Sequence, residues 1–145
     1  MAKATHCNIP DTLYYWIKEH VWVRMEEDGS VTIGMTDAAQ HIAGAVINAM
    51  PKKAGRGVQK GRSTGTVESG KWVGPVKAPV SGQIIAANEA LAATPKALNA
   101  DPYGAGWFVR IRPDDWEGES ADLVSGPEGA ATYRQFLEAE GIACE

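Results

Sequence analysis

Two short alternating segments meet at one turn, and that arrangement constrains the fold most. Residues 20–26, HVWVRME, place Val21, Val23 and Met25 on one side and His20, Trp22 and Arg24 on the other. A period of two is the mark of a half-buried strand. Asp28-Gly29 follows, a strong hairpin signal, and Val31, Ile33 and Met35 resume the alternation. Thr36-Asp37 reads as a helix N-cap opening a short turn, AAQHIAG, that Gly44 closes. Ala45–Met50 is another short strand ended by Pro51, Thr64–Glu68 a further one, and Val73 to Val76 is short and extended. With 16 glycines and 8 prolines spread along 145 residues, the chain predicts many short strands and turns, not a helix bundle.

Later segments continue the pattern. Pro79-Val80-Ser81-Gly82 is a turn that launches a strand, Gln83–Ala87. Short helical pieces fall at Ala90–Ala93 and Pro95–Asn99, and Trp107–Ile111 alternates as a final strand. From Ser125-Gly126-Pro127 the pattern becomes helical, with Tyr133, Phe136 and Leu137 on one face and Gly141 as the stop. The expected domain is single, residues 1–145, with its core at about 14–115 and a C-terminal helix at about 126–140. That acidic helix is expected to cover an open sheet edge. No apolar run approaches the roughly 20 residues that span a bilayer, and the start, MAKATHCN, lacks an apolar targeting core, so no membrane partner and a cytoplasmic location are expected.

Charge is unevenly spread. Residues 1–50 carry net −3, residues 51–77 net +6 and residues 78–145 net −7, for −4 in all. The basic middle, with Lys52, Lys53, Arg56, Lys60 and Arg62 and then Lys77, reads as a local docking feature. An overall pI near 5.4 and the absence of basic-aromatic alternation argue against nucleic acid, so the five tryptophans are expected as core and barrel-edge anchors. His6, Cys7, His20 and His41 match no metal-ligand spacing, and no metal site is expected. Cys7 and Cys144 are expected as free thiols, a bridge between the termini being the alternative. No nucleophile-base pairing or phosphate loop is present, so no independent enzyme is expected.

Ser69-Gly70-Lys71-Trp72 interrupts the strand pattern. Gly70 permits positive φ, and the stretch reads as a tight hairpin with Gly70-Lys71 at its tip. Lysine there offers a four-carbon stem ending in an acylatable amine, projected from a rigid turn.

Four separated motifs carry a family resemblance. They are His20-Val21-Trp22-Val23-Arg24 with Asp28-Gly29 and Val31 to Gln40; Val67-Glu68-Ser69-Gly70-Lys71; Pro79-Val80-Ser81-Gly82 with Asn88-Glu89-Ala90-Leu91; and Asn99 to Trp107 followed by Pro113. In order and spacing, from about Tyr14 to Asp115, the chain resembles the glycine cleavage system H protein. The resemblance implies a mainly β fold: a flattened barrel-sandwich of two antiparallel sheets with short helices, as in lipoyl carriers. It implies lipoic acid in amide linkage on Lys71, with Glu68, Ser69, Gly70 and Trp72 forming the attachment site. The chain would be a substrate shuttle, loaded by a lipoate ligase or lipoyl synthase system.

Two departures bear on the clients. The family usually has small residues on both sides of the lysine, whereas here Trp72 follows it, either packed on the barrel flank or exposed as a recognition handle. The segment before the lysine strand is basic instead of acidic or neutral. Together these resemble the H-like lipoate-binding proteins of sulfur-oxidising bacteria. That likeness implies a heterodisulfide-reductase-like complex as partner and sulfur as cargo. The alternative is aminomethyl transfer among the glycine cleavage enzymes. An unmodified interaction module is the reading from another class.

Overall fold

The computed structural model describes residues 4–144. Its strands form two antiparallel sheets. The larger sheet holds β1 (Tyr14–Trp16), β2 (Val21–Met25), β3 (Val31–Met35), β5 (Gly57–Val58), β8 (Gly82–Ala87), β9 (Val109–Pro113) and β10 (Val124–Ser125), in the order β10-β1-β2-β3-β9-β8-β5. The smaller holds β4 (Val46–Pro51), β6 (Ser63–Ser69) and β7 (Val73–Lys77), in the order β4-β6-β7. Among the described residues four α-helices accompany them: α1 (Asp37–Ala43), α2 (Ala97–Ala100), α3 (Trp116–Glu119) and α4 (Gly126–Ala139). This is the barrel-sandwich architecture that the resemblance implies, built from the many short strands that the pattern predicts.

The β2–β3 hairpin forms where Asp28-Gly29 predicts it. The Asp28 carboxylate accepts from Ser30 N–H at 3.0 Å and Ser30 Oγ at 2.6 Å, and Gly29 takes a φ of 84°. Those two hydrogen bonds, helped by the Arg110 guanidinium, hold the Asp28 carboxyl down at about 2. The strand itself is not half-buried. Val21 and Val23 enter the core between the sheets, while Trp22, fully buried, joins a second cluster with Cys7, Ile9, Leu13, Tyr15, Tyr133 and Leu137. Its indole Nε1–H donates to the Pro102 carbonyl at 2.9 Å, so the buried polar atom is satisfied.

The second cluster shows what α4 does. It packs its Ala130, Tyr133 and Leu137 face over the outer side of the large sheet. The free edge of β1 is covered by β10, in register Tyr14 to Ser125, not by the helix. The final strand also begins two residues later than alternation predicts. The Asn88 side-chain amide donates to the carbonyls of Ala105 and Trp107, both at 2.8 Å, which takes those two carbonyls out of the ladder, while Phe108 still bonds backbone to backbone with Ile33 and Asn88. The short helices fall slightly off their expected bounds, as a 3-10 turn at Glu89–Ala92 and α2 at Ala97–Ala100. Among the described residues no helix is long and apolar enough to cross a membrane.

Cys7 and Cys144 are joined in a disulfide, which corrects the expectation of free thiols. Both sulfurs are buried, and Cys144 N–H donates to the Thr5 carbonyl at 2.8 Å. The two terminal segments meet because α4 carries the chain end back across the sheet that the N-terminal segment lies against.

Candidate functional site

The tip between β6 and β7 is built around one small buried side chain. Ser69 N–H donates to the Trp72 carbonyl at 2.8 Å, and Lys71 N–H donates to Ser69 Oγ at 3.3 Å. Ser69 Oγ lies 3.4 Å from the Trp72 carbonyl. These contacts close a three-residue turn, Gly70-Lys71-Trp72, on the end of a paired ladder in which Glu68 faces Val73. Gly70 does not use the left-handed region expected of it. What it supplies is room, since a Cβ there would meet nothing within 4 Å. Gly70→Ala should therefore leave thermal stability within about 0.5 kcal/mol of wild type, the usual range for an exposed substitution, as a denaturation curve would show.

Lys71 is exposed and makes no ion pair among the described residues. Its stem lies over Gly44, the residue that ends α1: a Cβ on Gly44 would come within 3.0 Å of Lys71 Cε, and its φ of 84° is also a glycine conformation. The platform under the lysine is braced by Asn99, the first residue of the family's closing motif. Its side chain donates to the Gly44 carbonyl and to Gln40 Oε1, both at 2.9 Å, and accepts from Val46 N–H at 2.8 Å. α1 starts as predicted, with Thr36 Oγ1 accepting from Ala39 N–H at 3.1 Å, a cap worth about 1 kcal/mol.

Beside the tip lies a cleft of about 270 Å³. α1 gives Ala39, Ile42 and Ala43, β2 and β3 give Val21 and Met35, and the β7 side gives Trp72, Pro75, Val76 and Lys77. Trp72, 38% exposed, folds back over Gly74; a Cβ on Gly74 would stand 2.2 Å from the indole. The ring is thus both packed on the flank and a wall of the cleft. Polar groups enter from the 3-10 turn Ile17–Glu19 and the residue after it, as Glu19 and His20. Glu19 is not free, because its carboxylate lies 3.4 Å from Lys77 Nζ.

The basic middle is partly neutralised. Lys60 pairs with Asp122, donates to the Glu119 carbonyl and lies 5.3 Å from the centre of the Trp16 ring. Lys77 is held by Glu19, while Lys52, Lys53, Arg56 and Arg62 make no ion pair among the described residues. The histidines are not gathered: His41 faces Asp37 at 4.0 Å and His20 bonds to Tyr133. Among the described residues the one group of ligating side chains found together is Cys7, Asp37 and Cys144, whose sulfurs are bonded to each other. Sequence reasoning puts Lys71 and its neighbours at the site but reads Gly44 as a helix stop, Asn99 as part of a motif and Tyr133 as a helix face, and it does not find the cleft, which forms only once distant segments meet.

Comparison with known proteins follows the same lines. The profile of the family described as glycine cleavage H-protein matches residues 13–138. A glycine cleavage system H protein 2 from Aquifex aeolicus (strain VF5) is 42% identical over 138 residues, covering 95% of this chain and 86% of that one. A probable glycine cleavage system H protein 2 from Sulfolobus acidocaldarius is 39% identical over 147 residues, covering 100% and 98%. The crystal structure of a glycine cleavage system H protein from Mycobacterium marinum superposes with a TM-score of 0.74 at 32% identity, covering 86% of this chain and 98% of that one.

Proposed function

The chain belongs to the glycine cleavage H-protein family, and from that premise we propose that Lys71 carries lipoic acid and that the chain is a shuttle, not a catalyst. The observation that carries the reading is an exposed primary amine, without an ion pair among the described residues, at the tip of a braced hairpin, with open space at Gly70 and an apolar cleft alongside. These residues fit the cofactor. Acylation needs a reachable amine, and a swinging arm needs a rigid base. When bound, the dithiolane supplies a disulfide that opens to two thiols, one of which can hold a cargo.

The chain's own groups do the positioning. Ser69 fixes the turn, and Asn99 holds the end of α1 beneath the lysine stem. Trp72, Met35, Ile42 and Val76 present an apolar surface beside it. The names of the relatives favour the glycine cleavage enzymes as clients, the reading in which the cargo would be an aminomethyl group. One observation favours the sulfur-oxidation reading: the carboxylate at the cleft, Glu19, is tied to Lys77, which leaves no free anion there for a cationic amine.

Two measurements test this. Intact mass after co-expression with a lipoate ligase should show one octanoyl or lipoyl addition; an unchanged mass rejects the carrier reading in favour of an interaction module. The lipoylated chain should then support aminomethyl transfer with purified glycine cleavage partners. Failure there, with the acyl group present, would turn the assignment to the sulfur system.

A further inference from the structure

We infer that His20 is the hydrogen-bond donor the cleft offers to the reduced arm's thiolate, held in its donating form by Tyr133 from α4; this rests on the carrier reading of Lys71.

His20 sits at the cleft in a left-handed conformation, φ 56°, which is uncommon outside glycine and persists only where the surroundings impose it. Those surroundings are visible. Its carbonyl accepts from Thr36 N–H at 3.1 Å, and its ring packs against Tyr133 and Phe136, with centroids 5.8 and 6.1 Å away. Nδ1 lies 2.7 Å from Tyr133 Oη, which lies 2.8 Å from Thr36 Oγ1.

Counting protons gives this chain a direction. Thr36 is fully buried, and its hydroxyl oxygen already accepts from Ala39 N–H. Among the described residues the one acceptor within reach of its own proton is Tyr133 Oη. Thr36 therefore donates to Tyr133, and Tyr133 donates to Nδ1. The reverse order would leave a buried hydroxyl proton without an acceptor. Burial disfavours the charged ring, the Glu19 charge opposing more weakly, and with Nδ1 accepting from Tyr133 the ring's own proton is on Nε2. No described residue bonds Nε2. Yet no buried side-chain nitrogen or oxygen lacks a partner among the described residues, so Nε2 is accessible, and His20 is one of the residues that line the cleft.

An N–H donor among apolar walls discriminates by charge. A dithiolane disulfide accepts weakly, whereas a thiolate accepts a charge-assisted bond. The other titratable groups facing this position are Glu19 on the same turn, Lys77 from β7, which neutralises it, and uncharged Tyr133 from α4. The linings from α1, β2 and β3 carry none.

The test is a pH titration of the arm's thiolate absorbance in the reduced, lipoylated full chain. Unacylated protein treated identically is subtracted, and free dihydrolipoamide is the reference. In the wild type the first thiol should titrate about one pH unit below the free compound, a tenfold larger thiolate fraction on the rising limb. His20→Asn, which tolerates the left-handed backbone, and Tyr133→Phe, which keeps the ring but not the hydroxyl, should both return the midpoint towards the free value. Should Tyr133→Phe lose its fold by circular dichroism, His20→Asn decides alone. Coincident titrations of wild type and His20→Asn overturn the inference. Absence of acyl mass on Lys71 overturns the carrier reading, and this with it.

Discussion

Lys71→Arg should abolish acylation entirely and leave the fold untouched. Arginine keeps the positive charge and a long stem but offers no acylatable amine, so the substitution isolates the chemistry from the electrostatics. Lys71 makes no ion pair among the described residues and projects from a turn whose closure depends on Ser69, not on the lysine. The cost should therefore stay within about 0.5 kcal/mol, a melting shift of roughly 2 °C or less. Intact mass after co-expression with a lipoate ligase should show the full addition on wild type and none on the variant. Two other lysines are poor substitutes: Lys77, opposite Ser63 at the far end of the β6–β7 ladder, is held by Glu19, and Lys60 is drawn against Trp16 and Asp122. Acyl mass persisting on Lys71→Arg would mean that another amine is the attachment point, and the cleft beside the tip would lose its meaning.

How much of this site can be read from residues alone depends on the distance over which its parts communicate. The β2–β3 hairpin is legible because Asp28-Gly29 and the flanking alternation act within a few residues, and the Asp28 carboxylate satisfies Ser30 two positions away. The Thr36 cap is legible for the same reason. Alternation makes β2 a half-buried strand with Trp22 on its second face, while as a tryptophan Trp22 is expected to be a core or barrel-edge anchor, and the anchor reading is the one that holds. Whether the second face of a strand meets water depends on α4, more than 100 residues later, laying Tyr133 and Leu137 over it. The start of β9 is misjudged because a side chain, Asn88, competes for the carbonyls of Ala105 and Trp107. Lys71 itself owes its prominence to the family resemblance. Periodicity alone marks only a turn, and the left-handed freedom of Gly70 that seemed to justify it is not used. The cleft is beyond any local reading, since residues 19–21, 35–43 and 72–77 must first come together.

The same separation in sequence makes the terminal disulfide a large contributor to stability. Replacing Cys7 and Cys144 together by alanine should lower the unfolding free energy by about 4–5 kcal/mol. Cys7 and Cys144 are 137 residues apart, so the bond closes almost the whole chain into one loop. The loop-entropy relation gives about 4.7 kcal/mol for a 100-residue loop and rises only slowly beyond that. At about 2–4 °C per kcal/mol for a domain approaching this size, melting should fall by roughly 10–20 °C. The native contacts around the bond should survive its loss, because Thr5 Oγ1 donates to the Ile142 carbonyl at 2.7 Å and Cys144 N–H donates to the Thr5 carbonyl at 2.8 Å. The effect therefore acts mainly on the unfolded chain, and a reductant added to wild type should reproduce it. The consequence reaches the carrier site through α1, whose first residue, Asp37, accepts from Asn8 N–H at 2.8 Å beside the bridge and whose last turn walls the cleft. Denaturant unfolding of wild type with and without reductant, against the double variant, measures the term directly. A difference under about 1 kcal/mol would show that the terminal segments are held by packing of α4 alone and that the bond adds little to it.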